Sequence, residues 1–342
     1  MSATPFVLSV VVPAYNEEEV LPVFQQRMLA VLQGLGCGYE IVYVNDGSKD
    51  RTLEVMHALR RDDPCVTVVD LSRNFGKEIA LTAGLDKAVG DAVVVIDADL
   101  QDPPELIPEL VRQWQSGFDM VYAQRVARDG ETWVKKLTAK LFYRLVQRAS
   151  RIEIPKDTGD FRLLSRRALD ALLELREHHR FMKGLFAWIG FPSVAVPYRR
   201  DPRAAGITKW NYWKLWNLAV EGLTSFTIAP LKLASYVGFV IALLGFAFAA
   251  VIVYRTVAHG DPVRGYPSLM VAILFLGGVQ LVAIGALGEY LGRVFNEVKH
   301  RPLYLLKGFA PSRAHAARLA AAPLPPTPMV DEGARAQGLE SR

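Results

Sequence analysis

The chain has 342 residues, enough for about two domains, and hydrophobic residues make up 51% of it. That share is high for an entirely soluble protein, and the excess lies in the C-terminal third. The formal net charge of +5 favours anionic partners such as phosphates, nucleic acid or a lipid surface. We expect no secretory signal peptide, because the first apolar stretch, residues 7–12, is short and is followed at once by Pro13.

The first hundred residues alternate between strand and helix patterns. Apolar runs predict four strands, at residues 7–12, 41–45, 66–71 and 92–96. Between them we predict helices, one capped by Asn16 with residues 17–19 as its acidic first turn, and one over residues 79–88. This alternation predicts an α/β fold with a doubly wound, mostly parallel sheet, which residues 105–200 are expected to complete.

Two carboxylates follow the fourth predicted strand. Asp97 and Asp99 are spaced i, i+2, so they share one side of an extended chain, and Gln101 comes next. Hard oxygen ligands at the carboxyl end of a strand suit Mg²⁺ or Mn²⁺, and an ion at such a position most often binds the phosphates of a ligand. The alternative is that both acids only terminate the strand, with residues 102–103 forming a turn.

Two more loops are expected at the same edge of the sheet. They contain Glu17, after the first strand, and Asp46, after the second. With the Asp97 segment they predict a nucleotide-diphosphate site bridged by a metal ion, to which Lys77 could add a cation. Taken alone, Lys77 is more typical of a surface lysine.

Further along the chain, two clusters of polar residues are candidates for catalysis and anion binding. Asp157 and Asp160 are candidate bases, although Asp and Gly also form plain turns. The cations Arg125, Arg203 and Lys209 could hold an anionic acceptor or a leaving diphosphate. A solvated basic rim is the alternative for these three residues.

The C-terminal third contains two long uncharged stretches. Residues 233–254 span 22 positions and residues 268–287 span 20 without a charge, which predicts two transmembrane helices rather than a buried hairpin. Lys and Arg concentrate outside this pair, so both ends are predicted to be cytoplasmic, where Cys37 and Cys65 need no disulfide. A basic amphipathic helix over residues 133–148 and the aromatic residues at 210–216 are expected at the membrane surface, and the last thirty residues resemble a disordered tail.

Six motifs, taken together, resemble the family 2 glycosyltransferases. They are VVPAYNE (11–17), VNDGSKD (44–50), RNFGK (73–77), DADLQDPPE (97–105), DTGDFRL (157–163) and RFMKGLFAW (180–188). More narrowly, the chain is similar to the bacterial polyprenyl-phosphate glycosyltransferases, which include bactoprenol glucosyltransferases and relatives of dolichol-phosphate mannose synthase. The likeness covers about residues 5–308.

The resemblance implies a GT-A fold and assigns roles to particular residues. The metal motif matches Asp97, Asp99 and Gln101, and the cofactor implied is Mg²⁺ or Mn²⁺. The nucleotide-sugar positions match Pro13, Ala14, Tyr15, Glu17, Asp46, Lys77 and Asp97. Asp160 matches the proposed base, with Asp157 second. Arg125 matches an acceptor-phosphate ligand, and Arg203 and Lys209 match a basic loop near the diphosphate.

From this resemblance we predict a membrane-anchored, inverting transfer of one sugar, glucose from UDP-glucose, to undecaprenyl or another polyprenyl phosphate. The alternatives are mannose from GDP-mannose, another UDP-sugar, or a non-catalytic membrane subunit that binds a nucleotide sugar. The implied location is the bacterial inner membrane, and a homo-oligomer is expected, without nucleic acid. The predicted divisions are a cytoplasmic GT-A domain (1–210), an interfacial segment (211–232), two transmembrane helices with a short external loop (233–292) and a basic, partly disordered cytoplasmic tail (293–342).

Overall fold

The computed structural model describes residues 6–126, 158–178, 180–199, 229–259 and 265–316. Several predictions therefore concern residues outside these ranges. They are the candidate site residues Asp157, Arg203 and Lys209, the basic helix at 133–148, the aromatic cluster at 210–216 and most of the C-terminal tail.

The elements alternate as the sequence predicts. The strands are β1 Val7–Ala14, β2 Gly38–Asn45, β3 Val66–Leu71, β4 Ala92–Val95, β5 Met120–Arg125, β6 Thr158–Ser165, β7 Ser193–Tyr198 and β8 Leu306–Ala310. The helices are α1 Leu21–Leu35, α2 Thr52–Asp62, α3 Lys77–Lys87, α4 Ile107–Gln115, α5 Arg166–Glu174, α6 Met182–Trp188, α7 Ala229–His259 and α8 Tyr266–Val298. A short 3₁₀ turn, Pro104–Leu106, precedes α4.

One sheet contains these eight strands in the order β7-β5-β6-β4-β1-β2-β3-β8. The four strands predicted from the sequence, β1 to β4, are parallel neighbours or near neighbours, as expected. The sheet as a whole is mixed, because β6 runs antiparallel to β4 and β5, and β8 runs antiparallel to β3. Consequently β6 begins at the edge where β4 and β5 end.

Apolar side chains fill both faces of the sheet. Along β1, Leu8, Val10 and Val12 belong to one buried cluster and Val11 to the other. A strand covered on both faces reads as a continuous apolar run, which is why the sequence reveals it. Helix α3 lies so close to β1 that a Cβ atom added to Gly84 would stand 2.4 Å from Val11 Cγ1.

The start of α1 differs from the prediction. The helix begins at Leu21, and Asn16 does not cap it. Asn16 instead adopts a positive φ of 56°, and its side-chain oxygen accepts a hydrogen bond from the backbone N–H of Lys49 at 2.9 Å. Asparagine tolerates this left-handed conformation, so here it joins two loops instead of starting a helix.

The two predicted membrane segments lie within α7 and α8, which contact each other. By length and composition alone, one stretch of the described helices, Phe275–Val298, qualifies as a candidate membrane span. The pair of membrane crossings therefore stays a prediction.

Part of the predicted tail belongs to the sheet. After α8 the chain returns as β8 at the outer edge of β3, and Ser312 Oγ then donates a hydrogen bond to the fully buried Glu40 at 3.1 Å. The end of α8 also contacts the sheet domain, since the backbone N–H of His178 donates to Glu297 at 2.8 Å. The first part of residues 293–342 is thus folded against the sheet domain.

Candidate active site

The three predicted loops lie at one edge of the sheet. Strand β1 pairs in parallel with β2 and β4, with Ala14 opposite Asn45 and Val11 opposite Val95. The loops that follow these strands therefore leave the sheet on the same side. Residues 158–160, at the start of β6, reach this side from the opposite direction.

Lys77 connects two acidic residues at this edge. Its ammonium nitrogen lies 2.7 Å from a carboxylate oxygen of Asp97 and 2.5 Å from Oδ2 of Asp160. The Lys77 side chain keeps 45% of its surface exposed, whereas those of Asp97 and Asp160 are 23% and 11% exposed. Burial alone would lower the pKa of Lys77, but the two carboxylates raise it above its ordinary value, so the cation is maintained.

Asp160 is held in its ionised form. Burial alone would raise its pKa, but Lys77 and then Lys183 lower the pKa of Asp160 to about 2. Among the described residues, its Oδ1 atom is buried and has no hydrogen-bond partner. A carboxylate with so low a pKa is a poor proton acceptor near neutral pH and is better suited to orient or stabilise charge.

Arg162 lies beside Asp160 and is almost completely buried, with 4% exposure. Its guanidinium stacks on the Phe186 ring at 3.7 Å and donates to the Gly159 carbonyl at 2.9 Å. Burial lowers the pKa of Arg162 to about 10, which still leaves it a cation at neutral pH. This arrangement fixes the backbone that carries Asp160.

Asp46 shapes the loop before α3. Its two carboxylate oxygens accept the backbone N–H groups of Phe75 and Gly76 at 2.7 and 3.0 Å. The following residue, Gly47, has φ +64°, and a Cβ atom there would stand 2.5 Å from the backbone of Arg73. Asp46 therefore holds the segment from which Lys77 extends, and its predicted contact with a nucleotide stays a prediction.

The remaining nucleotide candidates lie at the end of β1. Pro13 and Ala14 are its last two residues, and Tyr15 follows with 41% of its surface exposed. The backbone N–H of Glu17 donates to Thr52 Oγ1 at 2.8 Å, which joins this loop to α2. These contacts place the loop beside the one after β2.

The proposed metal ligands lie on one tight turn. Asp99 Oδ1 accepts the backbone N–H of Gln101 at 3.2 Å, and Leu100 between them has φ +57°. In the parts of the chain that the structure covers, no group of three or more His, Cys, Asp or Glu side chains is arranged to hold a metal ion. Mg²⁺ needs only one or two carboxylates when substrate phosphates complete its shell, so Asp97 and Asp99 fit such an ion together with a bound diphosphate.

Around Arg125 and Asp160, which the sequence analysis assigned, the structure shows three further residues that it did not assign: Tyr198, Asp102 and Lys183. Arg125, at the end of β5, donates from Nε to the Tyr198 hydroxyl at 3.3 Å, and that hydroxyl donates to Asp102. Asp102 falls within the DADLQDPPE motif and Lys183 within RFMKGLFAW, so these motifs were a signal for both residues. Tyr198 lies outside all six motifs and had no such signal.

Comparison with known proteins shows which family the chain resembles. Residues 9–173 match the family described as glycosyl transferase family 2, and residues 229–294 match the GtrB C-terminal hairpin. The chain is 56% identical over 299 residues to the uncharacterized glycosyltransferase sll0501 of Synechocystis, which covers 87% of this chain and 94% of that protein. It is 50% identical over 300 residues to the bactoprenol glucosyl transferase of Shigella phage SfV, with 88% and 98% covered.

Among solved structures, glucosyl-3-phosphoglycerate synthase from Mycobacterium tuberculosis aligns over 64% of this chain and 79% of its own, with 20% identity and a TM-score of 0.47. The sequence relatives carry the assignment. The chain belongs to glycosyl transferase family 2, and its mixed α/β sheet is followed by a C-terminal helical hairpin of the GtrB type.

Proposed function

We propose that this glycosyltransferase moves glucose from UDP-glucose to a polyprenyl phosphate at a membrane surface, with inversion at the anomeric carbon. The observation that carries the proposal is the contact of Lys77 with both Asp97 and Asp160 at the sheet edge. It joins the segment proposed for the donor to the strand proposed for the acceptor. The identity of 50% with a bactoprenol glucosyl transferase over nearly the whole chain supports the choice of substrates.

On the donor side, the loops after β1 and β2 would receive the nucleotide, and Asp97 and Asp99 would face its diphosphate. A bound Mg²⁺ or Mn²⁺, held by these carboxylates and by the substrate, would offset the negative charge of the leaving diphosphate. Lys77 adds a fixed positive charge next to Asp97, at 2.7 Å. Fixed charges of this kind stabilise the transition state without having to reorganise during the reaction.

On the acceptor side, a polyprenyl phosphate is already an anion. One of its oxygens would attack the anomeric carbon in line, forming a new C–O bond as the bond to the diphosphate breaks and its electron pair leaves with UDP. Such a nucleophile needs no base at neutral pH, which agrees with the low pKa of Asp160. Asp160 would therefore orient the acceptor and balance the charge of Lys77 and Lys183.

The helical hairpin of α7 and α8 would hold the active site, which takes a water-soluble donor, close to its lipid substrate. Large apolar side chains cover α7 and α8, and those of Phe239 and Leu281 are 69% and 71% exposed. Apolar surface of this extent on paired helices is typical of contact with lipid. We therefore retain two crossings and cytoplasmic ends as part of the proposal, and reporter tags at both termini should give cytoplasmic signals.

A donor panel tests the proposed function. Full-length purified protein, with Mn²⁺ or Mg²⁺ and polyprenyl phosphate, would be incubated with radiolabelled UDP-glucose, UDP-galactose or GDP-mannose. We expect lipid-linked label from UDP-glucose, and its loss in Asp99→Asn. Asp62→Asn is the matched control, because Asp62 is exposed at the end of α2.

Each other outcome of the panel points to a different conclusion. Product from GDP-mannose alone would replace the donor in the proposal. No lipid-linked product from any donor would favour a subunit that only binds a nucleotide sugar. Full activity in Asp99→Asn would refute the metal assignment while leaving the reaction in place.

A further inference from the structure

We propose that Tyr198 and Asp102 are positioning residues, which hold the guanidinium of Arg125 in the orientation that binds the acceptor phosphate. This inference rests on the proposed function, because it assigns Arg125 to the phosphate of the lipid. It concerns two side chains whose contribution comes through a third and not through the substrate.

The sheet brings Arg125 and Tyr198 together. They are the last residues of β5 and β7, which pair in parallel with these two residues in register. Their side chains therefore leave the sheet as neighbours at the edge that carries the active site. Arg125 Nε donates to the Tyr198 hydroxyl at 3.3 Å.

The tyrosine hydroxyl has a defined direction. It donates its proton to Asp102 Oδ1, so its oxygen lone pairs face Arg125 Nε. Tyr198 and Asp102 are 6% and 1% exposed, and the Phe161 ring packs edge-on against Tyr198 with centroids 6.3 Å apart. Burial and Asp102 raise the pKa of Tyr198 to about 12, so the hydroxyl keeps its proton throughout the neutral range.

This contact determines which atoms of Arg125 can reach a substrate. With Nε bonded to Tyr198, the two terminal nitrogens are the donors for a phosphate, and a fixed guanidinium matches two phosphate oxygens. One of them, Nη2, would stand 3.1 Å from a Cβ atom added to Gly159, the residue before Asp160. Glycine at this position leaves room for the guanidinium beside Asp160.

Asp102 also connects the two halves of the site. It lies three residues after Asp99, on the segment proposed to hold the donor diphosphate, and reaches Arg125 through Tyr198. The donor segment and the acceptor cation thus share one buried hydrogen-bonded chain. Loss of either member should disturb acceptor binding more than donor binding.

The test separates the two substrates. Tyr198→Phe removes the hydroxyl but keeps the ring and its contact with Phe161. With UDP-glucose and polyprenyl phosphate, we expect kcat/KM for the acceptor to fall roughly tenfold, the loss typical of a hydrogen bond to a charged group. We expect KM for UDP-glucose to change by less than about twofold, because the hydroxyl bonds to Arg125 and Asp102 and not to the proposed metal ligands Asp97 and Asp99. Asp102→Asn should act in the same direction.

Two further variants act as controls. Tyr39→Phe removes a similar tyrosine–aspartate contact, of Tyr39 with Asp63 at 3.3 Å, at the opposite edge of the sheet, and should leave both substrate constants unchanged. In an Arg125→Lys background, Tyr198→Phe should have little further effect, because the group it positions is absent. A merely structural role of Tyr198 would instead lower the stability of the fold, and it would impair the use of both substrates in every background.

The outcomes distinguish the inference from the function on which it rests. An unchanged acceptor constant in Tyr198→Phe, with normal transfer by the wild type, would overturn the positioning role alone. The positioning role would also be overturned if Tyr198→Phe lowered kcat/KM for the acceptor by the same factor in the Arg125→Lys background as in the wild type. If the wild type transfers no sugar, the proposed function and this inference fail together. Should Tyr198→Phe fail to fold, Asp102→Asn tests the same contact.

Discussion

Replacement of Lys77 by methionine tests the charge arrangement at the centre of the site. Methionine keeps much of the length of the side chain but removes the ammonium that contacts Asp97 and Asp160. Two carboxylates would then face each other without a cation between them. We expect both the stability of the fold and the rate of transfer to decrease.

The geometry gives the size of the effect. Both carboxylates contact one nitrogen atom, so their oxygens lie at most about 5 Å apart, where two like charges repel by at least about 1 kcal/mol in water and about 3 kcal/mol at an effective dielectric constant of about 20. Since Lys77 is 45% exposed, solvent screening places the loss between these limits. We therefore expect the free energy of unfolding to fall by about 1–3 kcal/mol, and kcat by about 100-fold.

Urea unfolding and the donor assay measure the two effects. Arg61→Met is the matched control, because it removes an exposed cation at the far end of α2 and should change neither quantity. Lys77→Arg keeps the charge and should preserve stability better than Lys77→Met, although its planar group would not match both carboxylates.

A double variant decides whether repulsion is the cause. In Lys77→Met with Asp160→Asn, one of the two like charges is gone, so stability should recover while transfer stays low. Repulsion between the two carboxylates would be excluded as the cause if the double variant were no more stable than Lys77→Met, or if Lys77→Met retained the stability and activity of the wild type.

Two further predictions concern the fold. Gly36→Ala should lower the free energy of unfolding by about 1 kcal/mol, since it forces alanine to a positive φ in open space. Gly47→Ala should lower it clearly more, because its Cβ atom would also collide with the backbone of Arg73. Equal melting temperatures of the two variants would contradict this. Arg167 lowers the pKa of Asp119, so this pair stabilises the fold above the ordinary pKa of about 4 and the contribution is lost as the pH falls below it. Asp119→Asn should flatten the decline in melting temperature between about pH 5 and pH 3, and an unchanged decline would argue against the assignment.

The first half of the sheet could be predicted because its strands are buried on both faces. Residues 66–71, for example, are apolar except for Thr67 and Asp70 and form β3 as expected. Strand β6 was harder to recognise, since Asp160 and Arg162 interrupt its apolar pattern. Both charges have partners in the folded chain, since Asp160 contacts Lys77 and Arg162 stacks on Phe186, and no local pattern in the sequence indicates these contacts.

In the candidate site, too, the sequence indicated some residues and contacts and not others. The motifs indicated that Asp97, Lys77 and Asp160 belong to one site, but they could not show that a single ammonium contacts both acids. Tyr198 gave no signal, because one tyrosine at the end of a short strand has many possible roles. Strand β8 was missed because it pairs with a strand more than 230 residues earlier, and no local pattern encodes such a pairing.

The chemical structure of the lipid product tests the proposed inverting transfer of glucose. Full-length protein would be incubated with UDP-glucose and polyprenyl phosphate, and the lipid product examined by mass spectrometry and by NMR of its anomeric proton. Since glucose is α-linked in UDP-glucose, inverting transfer would give one hexose joined to the lipid phosphate in the β configuration. An α-linked product, or the absence of a glycosylated lipid with every donor, would contradict it.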